Sequence, residues 1–144
     1  MPEITTTRKL HTSQEKAWAV ISDPSRFEEW NALHTRWGAE PPTELTVGTR
    51  IIEVVTIKGV VDTIDFTTSA YDAPRYVQLE GSGSTGSTVQ LDFTVDPDGD
   101  NDCVATLHVI FDSSILFGPL GKIIQKAFGK QLDKSLDTLS VLVE

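Results

Sequence analysis

The chain has 144 residues, and 21 acidic against 12 basic side chains leave a formal charge of −9. A surface this acidic lacks the basic footprint that a phosphate backbone requires, so nucleic acid is excluded as the expected partner. A hydrophobic share of 39% over this length fits one domain, residues 1–144, with a sizeable core.

The single cysteine, Cys103, allows no internal disulfide and suggests a reducing compartment. Residues 1–10 carry no apolar signal-peptide core, so a cytoplasmic location is expected. His11, His34 and His108 share no metal-like spacing, and neither a metal nor another cofactor is expected.

In chain order, Glu3–Leu10 is rich in β-branched residues and reads as a strand. Thr12 to Glu15 has the spacing of a capping box opening a short helix, on which Trp18 and Ile21 share a face. Asp23 and Pro24 end that helix and cap a second, brief one, with Phe27 and Trp30 three apart. Asn31 to Gly48 reads as a loop.

From Thr49 the hydrophobic period drops to two. Thr49–Ile57 and Val60–Ala70 read as strands joined at Lys58-Gly59, a hairpin signal. Arg75–Glu80 follows a turn at Asp72-Ala73-Pro74. Val89, Leu91, Phe93 and Val95 alternate with polar residues, as do Cys103, Ala105, Leu107, Val109 and Phe111. Between those two strands, Asp96 to Asp102 is a cluster of turn formers. Strands so closely spaced imply an antiparallel meander.

The last segment, Ser114 to Glu144, has apolar residues at steps of three and four: Leu116, Leu120, Ile123, Ile124, Ala127, Phe128, Leu132, Leu136, Leu139 and Val143. Lys122, Lys126, Lys130, Asp133 and Asp137 fall on the opposite arc. A helix of about 25 residues would be about 38 Å long. Lysines every four residues exclude stable membrane insertion. The expected fold is α+β: a curved antiparallel sheet of about six strands wrapped round one long C-terminal helix, with a short helix pair after the first strand. A curved sheet against a single helix leaves room for an apolar cavity, the usual form of a small-molecule site.

Three segments carry a resemblance to a known family: the run from Ser22 through Asp23-Pro24 to Trp30, Val47-Gly48-Thr49-Arg50, and Tyr71-Asp72-Ala73-Pro74-Arg75. With the element order, they resemble the SRPBCC superfamily, also called the START-like or Bet v 1-like helix-grip fold. Trp30 to His34 with Trp37, and Leu116 to Lys122, are similar to its polyketide cyclase/dehydrase-like actinobacterial branch. Some members of that branch are described as toxins of type II toxin–antitoxin modules. The resemblance implies a fold and a cavity more firmly than a reaction.

Gly81 to Gly86 matches G-x-G-x-x-G, but an alternating strand follows where a dinucleotide loop would open a helix, so it reads as a flexible hairpin loop. His108 has the polar parity of its strand and is expected in solvent. Cys103 has the apolar parity and reads as a small core residue. His34, between two tryptophans, is a ligand contact, a general base or loop packing. Glu53 and Asp62 fall among apolar residues of matching parity and are weak catalytic candidates with it. The facing of Glu53 is open, because Ile52 and Val54 on the other parity are also apolar.

The expected ligand contacts follow the inner parity of each element. They are Trp30, His34 and Trp37 near the mouth; Ile64 and Phe66; Val77 and Leu79; Leu91 and Phe93; and Leu107 and Val109. From the helix come Phe117, Leu120, Ile124, Phe128, Gln131 and Ser135. Gln131, Ser135 and Thr138 make the second half of the helix face polar, and that half is expected to border the open part of the cavity. The leading expectation is binding of a small hydrophobic molecule, lipid-like or polycyclic. The alternatives are a polyketide cyclase or dehydratase, and a toxin acting through an antitoxin-like protein partner.

Overall fold

The computed structural model describes residues 3–112, 119 and 121–144. Its elements are β1 (Glu3–Leu10), α1 (Gln14–Ile21), a 3-10 turn (Pro24–Arg26), α2 (Phe27–Trp30), β2 (His34–Trp37), β3 (Arg50–Ile57), β4 (Val60–Asp72), β5 (Tyr76–Gly83), β6 (Thr88–Pro97), β7 (Cys103–Asp112) and α3 (Gly121–Val143). The seven strands form one antiparallel sheet in the order β1-β7-β6-β5-β4-β3-β2.

Local chemistry accounts for the joints. Ser13, not Thr12, caps α1 by accepting from the Lys16 N–H, while Thr12 is buried. Asp23 accepts from the Ser25 N–H ahead of Pro24, whose fixed φ suits a first turn. Lys58 and Gly59 have φ of 52° and 81°, as a two-residue hairpin between right-twisted strands requires. The β6–β7 turn uses Gly99 at φ 81°.

α3 lies across the concave face of the sheet, packed on β1, α2 and β3. Arg8 pairs with Asp137 and Thr6 donates to Asp133, tying α3 to β1. Ile124, Phe128, Leu132, Leu136 and Leu139 are buried against the sheet, whereas Lys122, Lys126 and Lys130 face solvent. Ile123, expected on the inner stripe, is 51% exposed, because the buried stripe drifts along the i+4 steps from Ile124. α3 has 23 described residues, and the expected part from Ser114 to Leu120, Pro119 apart, lies outside those described.

Two further expectations are corrected. Part of the Asn31–Gly48 loop is a strand, β2, which pairs with β3 and makes the sheet seven-stranded. A slip in register between His34 and Arg36 bulges β2. Residues three apart on a regular strand face opposite ways; the bulge lets His34 and Trp37 share the inner face. Four residues with one bulge show no alternation, so periodicity did not reveal them. The second correction concerns Gly81 to Gly86. Gly81 and Gly83 belong to β5, and only Ser84 to Ser87 form the connection to β6.

Candidate functional site

The concave face is filled unevenly. At one end the side chains of the N-terminal helices occupy it: Trp30 meets Phe93 edge-on at 5.7 Å, and Phe27 packs on both Trp30 and Trp37. Towards the β3–β4 and β5–β6 turns, the inward positions of β5 run Val77, Leu79, Gly81, Gly83. The first two are buried, and the last two carry no side chain. A Cβ on Gly81 would stand 2.7 Å from both Ile64 and Phe66, whose side chains therefore settle over β5. Beyond these side chains, between the sheet and α3, is a cavity of about 200 Å³. Val55, Ile64, Phe66, Leu91, Val109 and Phe111 form its sheet wall, and Ile124, Phe128 and Leu132 its helix wall. Phe111 and Phe128 stack at 4.6 Å, joining the two walls.

Polar groups enter this apolar space at two places. On β3, Glu53 faces inward and lines the cavity, which resolves the facing that the sequence leaves open. Its carboxylate lies 2.7 Å from His34 Nδ1, with the two side chains 5% and 4% exposed. A carboxylate only accepts, so Nδ1 carries the proton. The His34 ring also packs on Trp37, at 4.7 Å between ring centroids.

The second place is the turn end. Asp62 accepts from the hydroxyls of Ser87 at 2.6 Å, Ser84 at 2.9 Å and Thr85 at 3.0 Å. Burial pushes its carboxyl upward, but those hydroxyls and the Thr85 N–H outweigh burial and hold it below the ordinary value. A Cβ on Gly83 would collide with Ser87 and Asp62, so glycine there lets this network close.

Eight of the residues selected from the sequence line the cavity: Glu53, Asp62, Ile64, Phe66, Leu91, Val109, Ile124 and Phe128. Val77, Leu79, Phe93 and Leu107 are buried beneath the N-terminal helices or within the sheet core and do not line it. Trp30 and Trp37 pack aromatic to aromatic, and His34 touches the cavity only through Glu53. Phe117 and Leu120 lie outside the described residues.

The orientation expected for α3 is reversed. The bulky half, Ile124 to Leu132, faces the cavity. The polar half is tied to the chain after α2 and to β3: Ser135 accepts from the Ala32 N–H at 2.8 Å, and Gln131 donates to the Ala32 carbonyl at 3.5 Å and to the Thr56 carbonyl of β3 at 3.2 Å. The physical reason is the loop after α2, whose free backbone groups need partners that only polar side chains supply.

Leu33, Val55, Val89, Phe111 and Leu132 also line the cavity, beyond the sequence expectation, and Gly81 and Gly83 give Ile64, Phe66 and Asp62 room to settle against β5. Gly81 and Gly83 continue the parity of Val77 and Leu79, a signal present in the sequence. His108 is half-buried rather than free in solvent, held between Glu3 and Asp92 on the outer face of the sheet.

Residues 1–144 match the family described as polyketide cyclase / dehydrase and lipid transport, and the chain belongs to that family. It is 32% identical over 122 residues to "Toxin Rv0910" of Mycobacterium tuberculosis, covering 85% of this chain and 84% of the relative. It is 28% identical over 130 residues to "Uncharacterized protein Rv1546" of the same organism, covering 90% of each. Among solved structures it resembles TTHA0849 from Thermus thermophilus, with a TM-score of 0.81 at 16% identity, covering 99% of this chain and 97% of the other. A START superfamily protein from Mycobacterium smegmatis gives 0.78 at 15% identity, covering 98% and 96%. These two establish the helix-grip fold. Among the described residues, no helix is long and apolar enough to cross a membrane.

Proposed function

We propose that the chain binds a small hydrophobic molecule, lipid-like or polycyclic, in the cavity between α3 and the turn end of the sheet. The observation that carries this reading is the space between α3 and the inner face of the sheet, which apolar side chains of β3, β4, β6, β7 and α3 line without filling. A cavity of about 150 Å³ lined by apolar side chains holds a benzene ring; this one is larger, at about 200 Å³. Membership of a family described as including lipid transport supports the same reading. The test is titration with N-phenyl-1-naphthylamine, an uncharged dye that fluoresces in apolar surroundings. Saturable binding of one dye per chain is expected. Fluorescence that rises without saturation would overturn the reading.

A second reading, an enzyme of the cyclase or dehydratase type, draws on the approach of His34 to Glu53 within 2.7 Å at the cavity wall. A hydrogen bond between two buried ionisable side chains is the kind of arrangement acid–base chemistry uses. Turnover of a polyketide-like substrate that Glu53→Gln abolishes while dye binding persists would select it. The 32% identity to a protein named as a toxin supports a protein partner of antitoxin type. Co-purification with the product of an adjacent small gene is its test.

A further inference from the structure

We infer that the cavity selects its ligand by the polar head: it accepts an apolar body bearing a neutral or cationic hydrogen-bond donor, a hydroxyl or an ammonium, and turns away a carboxylate-headed body of the same size. The inference rests on the cavity being the binding site.

The polar atoms on the wall are nearly all acceptors. One oxygen of Glu53 accepts the hydrogen bond from His34 Nδ1, and the described residues offer the other no hydrogen bond. Thus a buried side chain on the wall keeps an unused acceptor. Asp62 is a second acid, and the three hydroxyls around it spend their protons on it. Asp112, at the end of β7, is a third. Asn31 presents its amide N–H group as a neutral donor, because its Oδ1 accepts from the Leu33 N–H at 3.0 Å.

Among the described residues, no lysine, arginine or histidine side chain lines the cavity. The segment from Ser113 to Leu120 contains no charged residue of either sign. A ligand carboxylate would therefore enter a low-dielectric space among acids and find no cation. A hydroxyl or ammonium would instead donate to the free oxygen of Glu53, and a bond to an ionised acceptor is the stronger kind. The three acids also make the cavity attractive to a cation before it makes contact.

The experiment compares four ligands that differ only in the group on one carbon of naphthalene: CH₂OH, CH₂NH₃⁺, OCH₃ and COO⁻. Each displaces N-phenyl-1-naphthylamine from the wild-type chain near neutral pH. The alcohol and the ammonium are expected to bind at least about tenfold more tightly than the carboxylate, with the ether between them. A carboxylate that binds within about twofold of the alcohol and the ammonium overturns the inference. An ether that fails to displace the dye overturns instead the cavity reading beneath it, so the two failures are separate. In Glu53→Gln the ammonium should lose its advantage over the ether; an unchanged advantage also overturns the inference. The wild-type comparison stands on its own should that variant not fold, and Asp62→Asn then replaces it, with a smaller loss of the same preference expected.

Discussion

Ser135 on α3 accepts a hydrogen bond from the backbone N–H of Ala32 at 2.8 Å, joining the long helix to the chain that leaves α2 across 103 residues of sequence. The same hydroxyl donates to the Gln131 carbonyl at 2.8 Å. The residue is 1% exposed and buried among leucines. Ser135→Ala should therefore cost about 1–3 kcal/mol, the penalty of leaving a buried donor without a partner. Ser135→Leu should cost more, since it adds bulk to a filled site as well. Urea melts measure both. Dye affinity of the folded variants should match wild type, because Ser135 is not on the cavity wall.

Phe128 and Phe93 separate the empty part of the interior from the full part. Phe128 lines the cavity and stacks on Phe111, so Phe128→Trp has space to grow into and should weaken dye binding at little cost in stability. Phe93 is 2% exposed beneath Trp30, so Phe93→Trp should overpack the core and cost about 1–3 kcal/mol. Dye titration and urea melts on the two variants should give opposite patterns.

Breaking the buried pair of His34 and Glu53 should be costly in one direction only. His34→Leu leaves a carboxylate at the cavity wall without its donor, an uncompensated group whose cost is about 3–5 kcal/mol. Replacing both, as His34→Leu with Glu53→Leu, should recover most of that loss, since apolar substitutes for a buried pair are often tolerated. A double-mutant cycle in urea reads the coupling. An uncharged apolar ligand should bind the folded variants within about tenfold of wild type, less than loss of a charged hydrogen bond would cause.

The outer face of the sheet carries a pH-dependent tie between β1, β7 and β6. The His108 imidazole lies between Glu3 and Asp92, and the bond to Glu3 outweighs the burial that opposes it, raising its pKa above the ordinary 6.5. The stabilisation is fully present below the unfolded value and is lost as pH rises through the higher folded one. Asp92 behaves oppositely. Burial pushes it up, but Gln78, His108 and Tyr76 together hold it below the ordinary 3.8. Its contribution is present above that value and is lost as acid drives pH through the folded one. The difference in melting temperature between wild type and His108→Gln should therefore be greatest between about pH 4 and 6.5 and shrink above neutral. Melts across that range check it.

Alternation in Val89 to Val95 and Cys103 to Phe111, the Lys58-Gly59 turn and the three–four spacing of Ile124 to Leu139 each follow from nearest-neighbour geometry. A residue's parity or helical phase is a property of its own segment, so sheet, meander and long helix were legible in the sequence alone. The acidic surface was legible for the same reason. β2 was not, because a four-residue strand with a bulge has no period, and pairing with β3 is what makes it a strand.

The site depended on what faces what. Ser135 and Gln131 look like cavity residues on a helical wheel, but the wheel does not say that Ala32, just after α2, brings its backbone N–H and carbonyl to that half of α3. His34 and Glu53 are 19 residues apart, and the β2–β3 pairing with its bulge brings their polar atoms to 2.7 Å. Sequence alone determined the facing of most residues on β6, β7 and α3, because parity and helical phase are set segment by segment, but not that of Glu53 or Ile123. Only the tertiary structure decided where the interior stays empty. Emptiness is a sum over the sheet, α2 and α3 together, and it falls between the inner residues of β3, β4, β6 and β7 and the bulky half of the helix, in a gap that no aromatic from α1 or α2 fills.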